Sequence, residues 1–176
     1  HDFSERSGVE CEIIVSSSGK LTAQIIEGAP FDLLLSADMK YPQELYKRNL
    51  TRFPPEIYAY GNLILWTLHE DITPDLETLA SEKVTYIALG NPKTAPYGIS
   101  ALEVIRSIGI EDKLEKKLVY GESIAQTNQF IISKSVDIGF TSKSVVMSSQ
   151  MKGRGQWAEI DKKLYSPMAQ GMVVLK

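Results

Sequence analysis

Residues Ser16 to Asp38 read SSSGKLTAQIIEGAPFDLLLSAD. Just ahead of them, Cys11 to Val15 (CEIIV) is an apolar, β-branched run of strand length. The serines and Gly19 break that pattern, and Leu21, Ile25 and Ile26 resume at helical spacing. Gly28, Ala29 and Pro30 stop the helix, and Phe31 to Leu35 (FDLLL) forms a strand ending at Ser36, Ala37 and Asp38. The expectation is a βαβ unit. Its strand-to-helix turn leaves backbone N–H groups without intrahelical partners, and the macrodipole adds partial positive charge there, so such a turn attracts anions.

A serine N-cap explains this turn when the stretch is taken alone. A phosphate-binding P-loop is excluded, because it needs a glycine at Ile14 and a Ser or Thr at Leu21. Ser17 to Lys20 also spells S-x-x-K, but the companion S-D-N and K-T-G elements are missing, with Lys93-Thr94-Ala95 the nearest miss. What remains is a helix start lined with small hydroxyl donors.

The chain has 176 residues, is 43% apolar and 23% charged, and carries a net charge of −3. That is a soluble globular composition with enough chain for one domain or two small lobes. A weakly acidic chain offers no basic surface for nucleic acid, so any anion site must be local. Cys11 is the single cysteine, which rules out an intrachain disulfide and reads as a small core residue. No apolar run reaches the length of a membrane span. Residues His1 to Val9 look like a helix tail and a Ser-Gly turn, and Gly171 to Lys176 stops inside a strand, so further residues are expected on both sides.

Strand and helix patterns alternate along the rest. A short helix follows Pro42, and Ile57 to Leu68 is a long apolar stretch able to pass between two lobes. Strands are expected at Val84 to Leu89, Leu118 to Tyr120, Val136 to Phe140 and Met168 to Leu175, with helices at about Ile99 to Ile108 and Ile124 to Ser133. The fold class is α/β with mostly parallel sheets flanked by helices. In such sheets ligands gather where strand ends enter helices. Four of these loops share one chemistry: Ser16 to Gly19, Pro96 to Gly98, Gly121 to Ile124, and Thr141 to Ser144. Each offers small, uncharged donors near a helix start, and together they favour an anion pocket. Asp38, Glu122 and Asp137 fit no metal spacing and are assigned to capping or the surface. His69, beside Glu70 and Asp71, is placed in a solvated loop.

The blocks SSSGKL, GAPFDLLLSADMKYP, YAYGNLILW, NPKTAPYG, LVYGESIAQTNQF, DIGF and LYSPMAQGMVVLK together resemble the periplasmic molybdate-binding proteins of molybdate ABC transporters. The likeness runs in order along nearly the whole chain. It implies a two-lobed, type II periplasmic-binding-protein fold with the oxyanion in an interlobe cleft. Lobe I is then residues 1–58 plus 168–176, lacking the family's first strand and last helices, and lobe II is residues 59–167.

Carried over by position, the resemblance makes Ser18 a donor through its hydroxyl and backbone N–H, and Tyr97 and Ile124 donors through their backbone N–H. Some relatives place a tyrosine hydroxyl where this chain has the shorter Ser142. The Tyr97 ring is expected to matter little. No cofactor is implied, and molybdenum enters only as molybdate, or tungsten as tungstate, held by these residues. The implied partners are that oxyanion and the transporter's membrane permease, with no nucleic acid and a monomeric state. The implied location is the periplasm, or the outer surface of the membrane through an anchor. The protein is then not an enzyme. The alternatives are a binding protein for another oxyanion such as sulfate, and the effector domain of a transcription regulator.

Overall fold

The computed structural model describes residues 2–176. Its strands form two separate sheets. The first has three strands in the order β1-β8-β2, from β1 (Leu33–Leu35), β2 (Glu56–Gly61) and β8 (Met168–Val174). The second has five in the order β5-β4-β6-β3-β7, from β3 (Leu63–Thr67), β4 (Ile87–Gly90), β5 (Leu118–Gly121), β6 (Ile138–Ser142) and β7 (Gln156–Glu159). The helices are α1 (Asp2–Ser7), α2 (Ser18–Ile26), α3 (Lys40–Lys47), α4 (Pro96–Ser107), α5 (Glu111–Leu114), α6 (Ile124–Ile132) and α7 (Lys143–Met147).

The α/β class and the flanking helices agree with the sequence, while the strand directions are mixed. β4 runs parallel to β5 and β6, whereas β3 is antiparallel to β6 and β7, and β8 is antiparallel to β1 and β2. The long apolar stretch is shared between the sheets. It forms β2 in one sheet and β3 in the other, separated only by Asn62.

The five-stranded sheet is buried on both faces. On one side Leu63, Leu65, Ile87, Leu89, Ile138 and Phe140 pack under α4 through Ala101, Val104 and Ile105. On the other, Ile64, Trp66 and Ala88 meet Ile131 of α6 and Val146 of α7. A fully buried aliphatic side chain stabilises by roughly 1.5–3 kcal/mol, so this layer carries most of the folding energy. The smaller sheet rests on α2 and α3 through Ile25, Leu34, Leu45 and Val173. Leu33, Leu35 and Val174 on its other face remain exposed.

Three expectations are corrected. Residues 11–15 form no strand: Ile13, Ile14 and Val15 are 77%, 47% and 71% exposed, and Cys11 is an exposed thiol outside the core. A strand needs a ladder partner, and no described segment pairs with this run. The expected βαβ unit is therefore α2 followed by β1. His69 is not solvated through its ring, because Nε2 is enclosed without a hydrogen-bond partner among the described residues.

One glycine sets how closely α4 approaches the sheet. A Cβ at Gly98 would collide with the Gly90 carbonyl, which is backbone and cannot swing aside. Gly98→Ala is expected to destabilise by at least the roughly 1–3 kcal/mol typical of overpacking, read as a lower denaturation midpoint. A midpoint equal to that of the unmodified protein would show that the start of α4 has slack.

Candidate functional site

The start of α2 is capped by its own sequence. Ser17 is extended, at φ −69° and ψ 148°, and its Oγ accepts from the Lys20 N–H at 3.4 Å. The Leu21 N–H goes to the Ser17 carbonyl, and the Gly19 N–H donates to the Thr94 carbonyl at 3.1 Å. That leaves the Ser18 N–H without a partner among the described residues. The Ser18 hydroxyl is buried, and its Oγ accepts from the Ala37 N–H at 3.0 Å. A hydroxyl that accepts from a backbone N–H keeps its own proton to donate elsewhere.

The start of α4 repeats this pattern with different residues. Ala95 is the extended cap and Pro96, which has no N–H, takes the first helical position. Gly98 and Ile99 both donate to the Ala95 carbonyl, which leaves the Tyr97 N–H unpartnered among the described residues. At α6, the Ser123 Oγ accepts from Gln126 at 3.3 Å and its carbonyl accepts from Thr127 at 3.0 Å. The N–H groups of Ile124 and Ala125 are unpartnered there. At α7, the Ser142 Oγ accepts from the Tyr97 hydroxyl at 2.9 Å and from the Ser144 N–H at 3.3 Å, and lies in hydrogen-bond contact with the Ser144 Oγ at 2.8 Å, where either hydroxyl can donate.

These four helix starts are tied to one another. Gly19 with Thr94 joins α2 to the loop before α4, and the Asn91 N–H donates to the Gly121 carbonyl at 2.7 Å. Lys20 pairs with Glu122 at 2.5 Å, joining α2 to the loop before α6. Tyr97 and Ser142 are bonded directly. No hydrogen bond links Ser18 to Ile124 among the described residues; their loops meet through the Lys20–Glu122 pair.

The acidic residues are accounted for. Asp38 turns to the start of α3, its Oδ1 accepting from the Tyr41 N–H and the Ser36 hydroxyl, each at 3.3 Å, while burial pushes its carboxyl above the usual range. Asp137 Oδ2 accepts from Thr85 and Tyr86 at the approach to β4. Lys20 holds the Glu122 carboxyl below the usual range. The unpartnered backbone N–H groups named above are neutral donors. Among the described residues no cluster of three His, Cys, Asp or Glu could hold a metal ion.

Two features were not legible in the sequence. The Tyr97 ring is 5% exposed with its hydroxyl fully engaged, so it is not the bystander that a backbone role alone implies. The Thr94 Oγ1 is enclosed without a partner beside the Gly19 contact loop. The arrangement suits a compact anion with several oxygens and no proton to give, since bonds from neutral donors to a charged acceptor are short and strong.

The family model for bacterial extracellular solute-binding proteins matches residues 1–176. The molybdate-binding protein ModA of Rhodobacter capsulatus is 33% identical over 175 residues, covering 99% of this chain and 68% of that protein. ModA of Azotobacter vinelandii is also 33% identical, over 98% of this chain and 69% of that protein. The solved periplasmic molybdate-binding protein of Azotobacter vinelandii superposes with a TM-score of 0.93 at 30% identity, covering 99% of this chain and 78% of that one. The chain belongs to the bacterial extracellular solute-binding protein family, alongside the ModA proteins.

Proposed function

We propose that this chain is the substrate-binding component of a molybdate or tungstate ABC importer, working in the periplasm and delivering its anion to a membrane permease. The observation that carries this reading is the set of unpartnered N–H groups at Ser18, Tyr97 and Ile124 beside the proton-bearing Ser18 hydroxyl. The likeness to ModA supports the choice of anion. Molybdate or tungstate sits as a dianion among these donors, with Ser142 as a further hydroxyl. A protonated oxyanion such as hydrogen phosphate would have to give its hydrogen to a hydroxyl oxygen that already accepts a bond, and left unmatched that buried polar group costs about 1–3 kcal/mol. The protein binds and releases without chemistry.

In this reading the two sheets belong to two lobes that close on the ligand; residues 59–61, expected in lobe II, pair with β8 in the three-stranded sheet and so go with lobe I, and the crossing falls at Asn62. The contacts Gly19–Thr94 and Lys20–Glu122 span them and hold the closed form.

Calorimetric titration of the full-length protein with molybdate, tungstate, sulfate and phosphate tests the proposal. Molybdate and tungstate are expected to bind far more tightly than phosphate, and comparable phosphate affinity at neutral pH would overturn the donor-only site. Ser18→Ala removes a hydroxyl bond to a charged group, worth roughly 1.5–3 kcal/mol, which is about a tenfold to hundredfold loss in affinity. Unchanged affinity would remove Ser18 from the site. The Glu122 carboxyl is expected to titrate below its ordinary 4.5 in NMR. Because its folded value is depressed, its pairing with Lys20 is present above 4.5 and is lost as pH falls through the lowered value. Lys20→Ala should return that titration to the ordinary range.

A further inference from the structure

Tyr97 has two ends with separate duties. Its backbone N–H is one of the unpartnered donors, while its ring runs into the interior and its hydroxyl meets groups from both sheets. The hydroxyl donates to Ser142 Oγ at 2.9 Å and accepts from Gln170 Nε2 at 3.1 Å. Ser142 ends β6 and pairs with Leu63 in the five-stranded sheet. Gln170 lies on β8 and pairs with Ala59 in the three-stranded sheet. Gly61 makes room at the crossing: a Cβ there would stand 2.6 Å from the Tyr97 hydroxyl oxygen and 3.0 Å from Gln170 Nε2.

We propose that the Tyr97 hydroxyl is a positioning group that couples the oxyanion site to the junction between the two sheets. For the nature of the ligand this rests on the oxyanion-site reading. For the junction it rests on the hydrogen bonds alone. The bonds run in one direction. Gln170 donates to Tyr97, Tyr97 gives its single proton to Ser142, and the Ser142 oxygen also accepts from the Ser144 N–H. A hydroxyl that accepts two bonds is polarised and becomes a better donor of its own proton. Ser142 therefore presents that proton, to Ser144 or to an anion, with an orientation set by Tyr97. Burial pushes the Tyr97 hydroxyl above its ordinary pKa of 10.0, so it stays protonated and able to donate across the neutral range. A movement of β8 relative to β6 must stretch or break this chain, and a movement of the α4 start must do the same.

The test compares Tyr97→Phe, Ser142→Ala, the double variant and Gly61→Ala, all in the full-length protein with thermal melts to confirm folding. Two readouts are taken: molybdate affinity by calorimetry, and backbone amide exchange at Leu63 and Gln170 in the ligand-free protein. Tyr97→Phe keeps the ring's shape. It is expected to weaken molybdate about tenfold and to speed exchange at both amides. The double variant should bind no worse than the weaker single variant, because the two hydroxyls act as one chain. Gly61→Ala, which displaces the hydroxyl without removing it, should speed exchange in the same way. The proposal is overturned if Tyr97→Phe binds within about twofold of the unmodified protein, if the two penalties multiply, or if exchange at Leu63 and Gln170 is unchanged. If the unmodified protein itself fails to bind molybdate, the functional reading falls, and the exchange measurement still decides the role of the tyrosine.

Discussion

Backbone N–H groups at a helix start have no carbonyl below them, and most of this structure follows from how the chain answers that constraint. At α2, α4 and α6 the local sequence caps some of these donors and leaves others open. Ser17 and Ser123 each satisfy later positions through their side chains, and Ala95 does so through its carbonyl. The groups left over belong to Ser18, Tyr97, Ile124 and Ala125. The loops that carry them are joined by the Gly19–Thr94 bond, the Asn91–Gly121 bond and the Lys20–Glu122 pair. The five-stranded sheet sets the heights of α4 and α6, and the smaller sheet carries α2 toward them.

Neutral donors make sense only where full charges are kept in check. Lys20 lies beside these loops, and a free ammonium there would draw any anion irrespective of size or protonation. Glu122 cancels it in a solvent-exposed pair that also joins two loops. Asp38 is occupied by the start of α3 and Asp137 by the approach to β4. The carboxylates near the loops are thereby committed to structural partners. In the proposed reading, discrimination among anions is left to pocket size and to whether the anion carries a proton of its own.

The helix starts were legible in the sequence because their signals are local. Ser17, Pro96 and Ser123 stand where caps and first-turn residues belong, and a 3.6-residue pattern follows each. The donor loops could thus be named from residue type alone. The failures were non-local. CEIIV has the composition of a strand, but strand formation depends on a neighbour that the stretch does not encode. The antiparallel pairing of β3 with β6 is a long-range choice that apolar periodicity does not reveal. The Tyr97 hydroxyl finds Ser142 across 45 positions and Gln170 across 73, distances at which no local pattern speaks.

The chain passes between the sheets at Asn62 and again just ahead of Met168, and the two passages lie side by side because Gly61 pairs with Met168. Two parallel cables fastened together behave differently from one. A single tether permits swivel, tilt and twist alike, whereas a bonded pair resists twist and sideways shear while it still bends across its width. Two paired crossings thus restrict relative twist of the sheets more than one crossing would. If, as proposed, a ligand draws the helix starts together, it has less orientational disorder to remove, and less of its interaction free energy is consumed in ordering the protein.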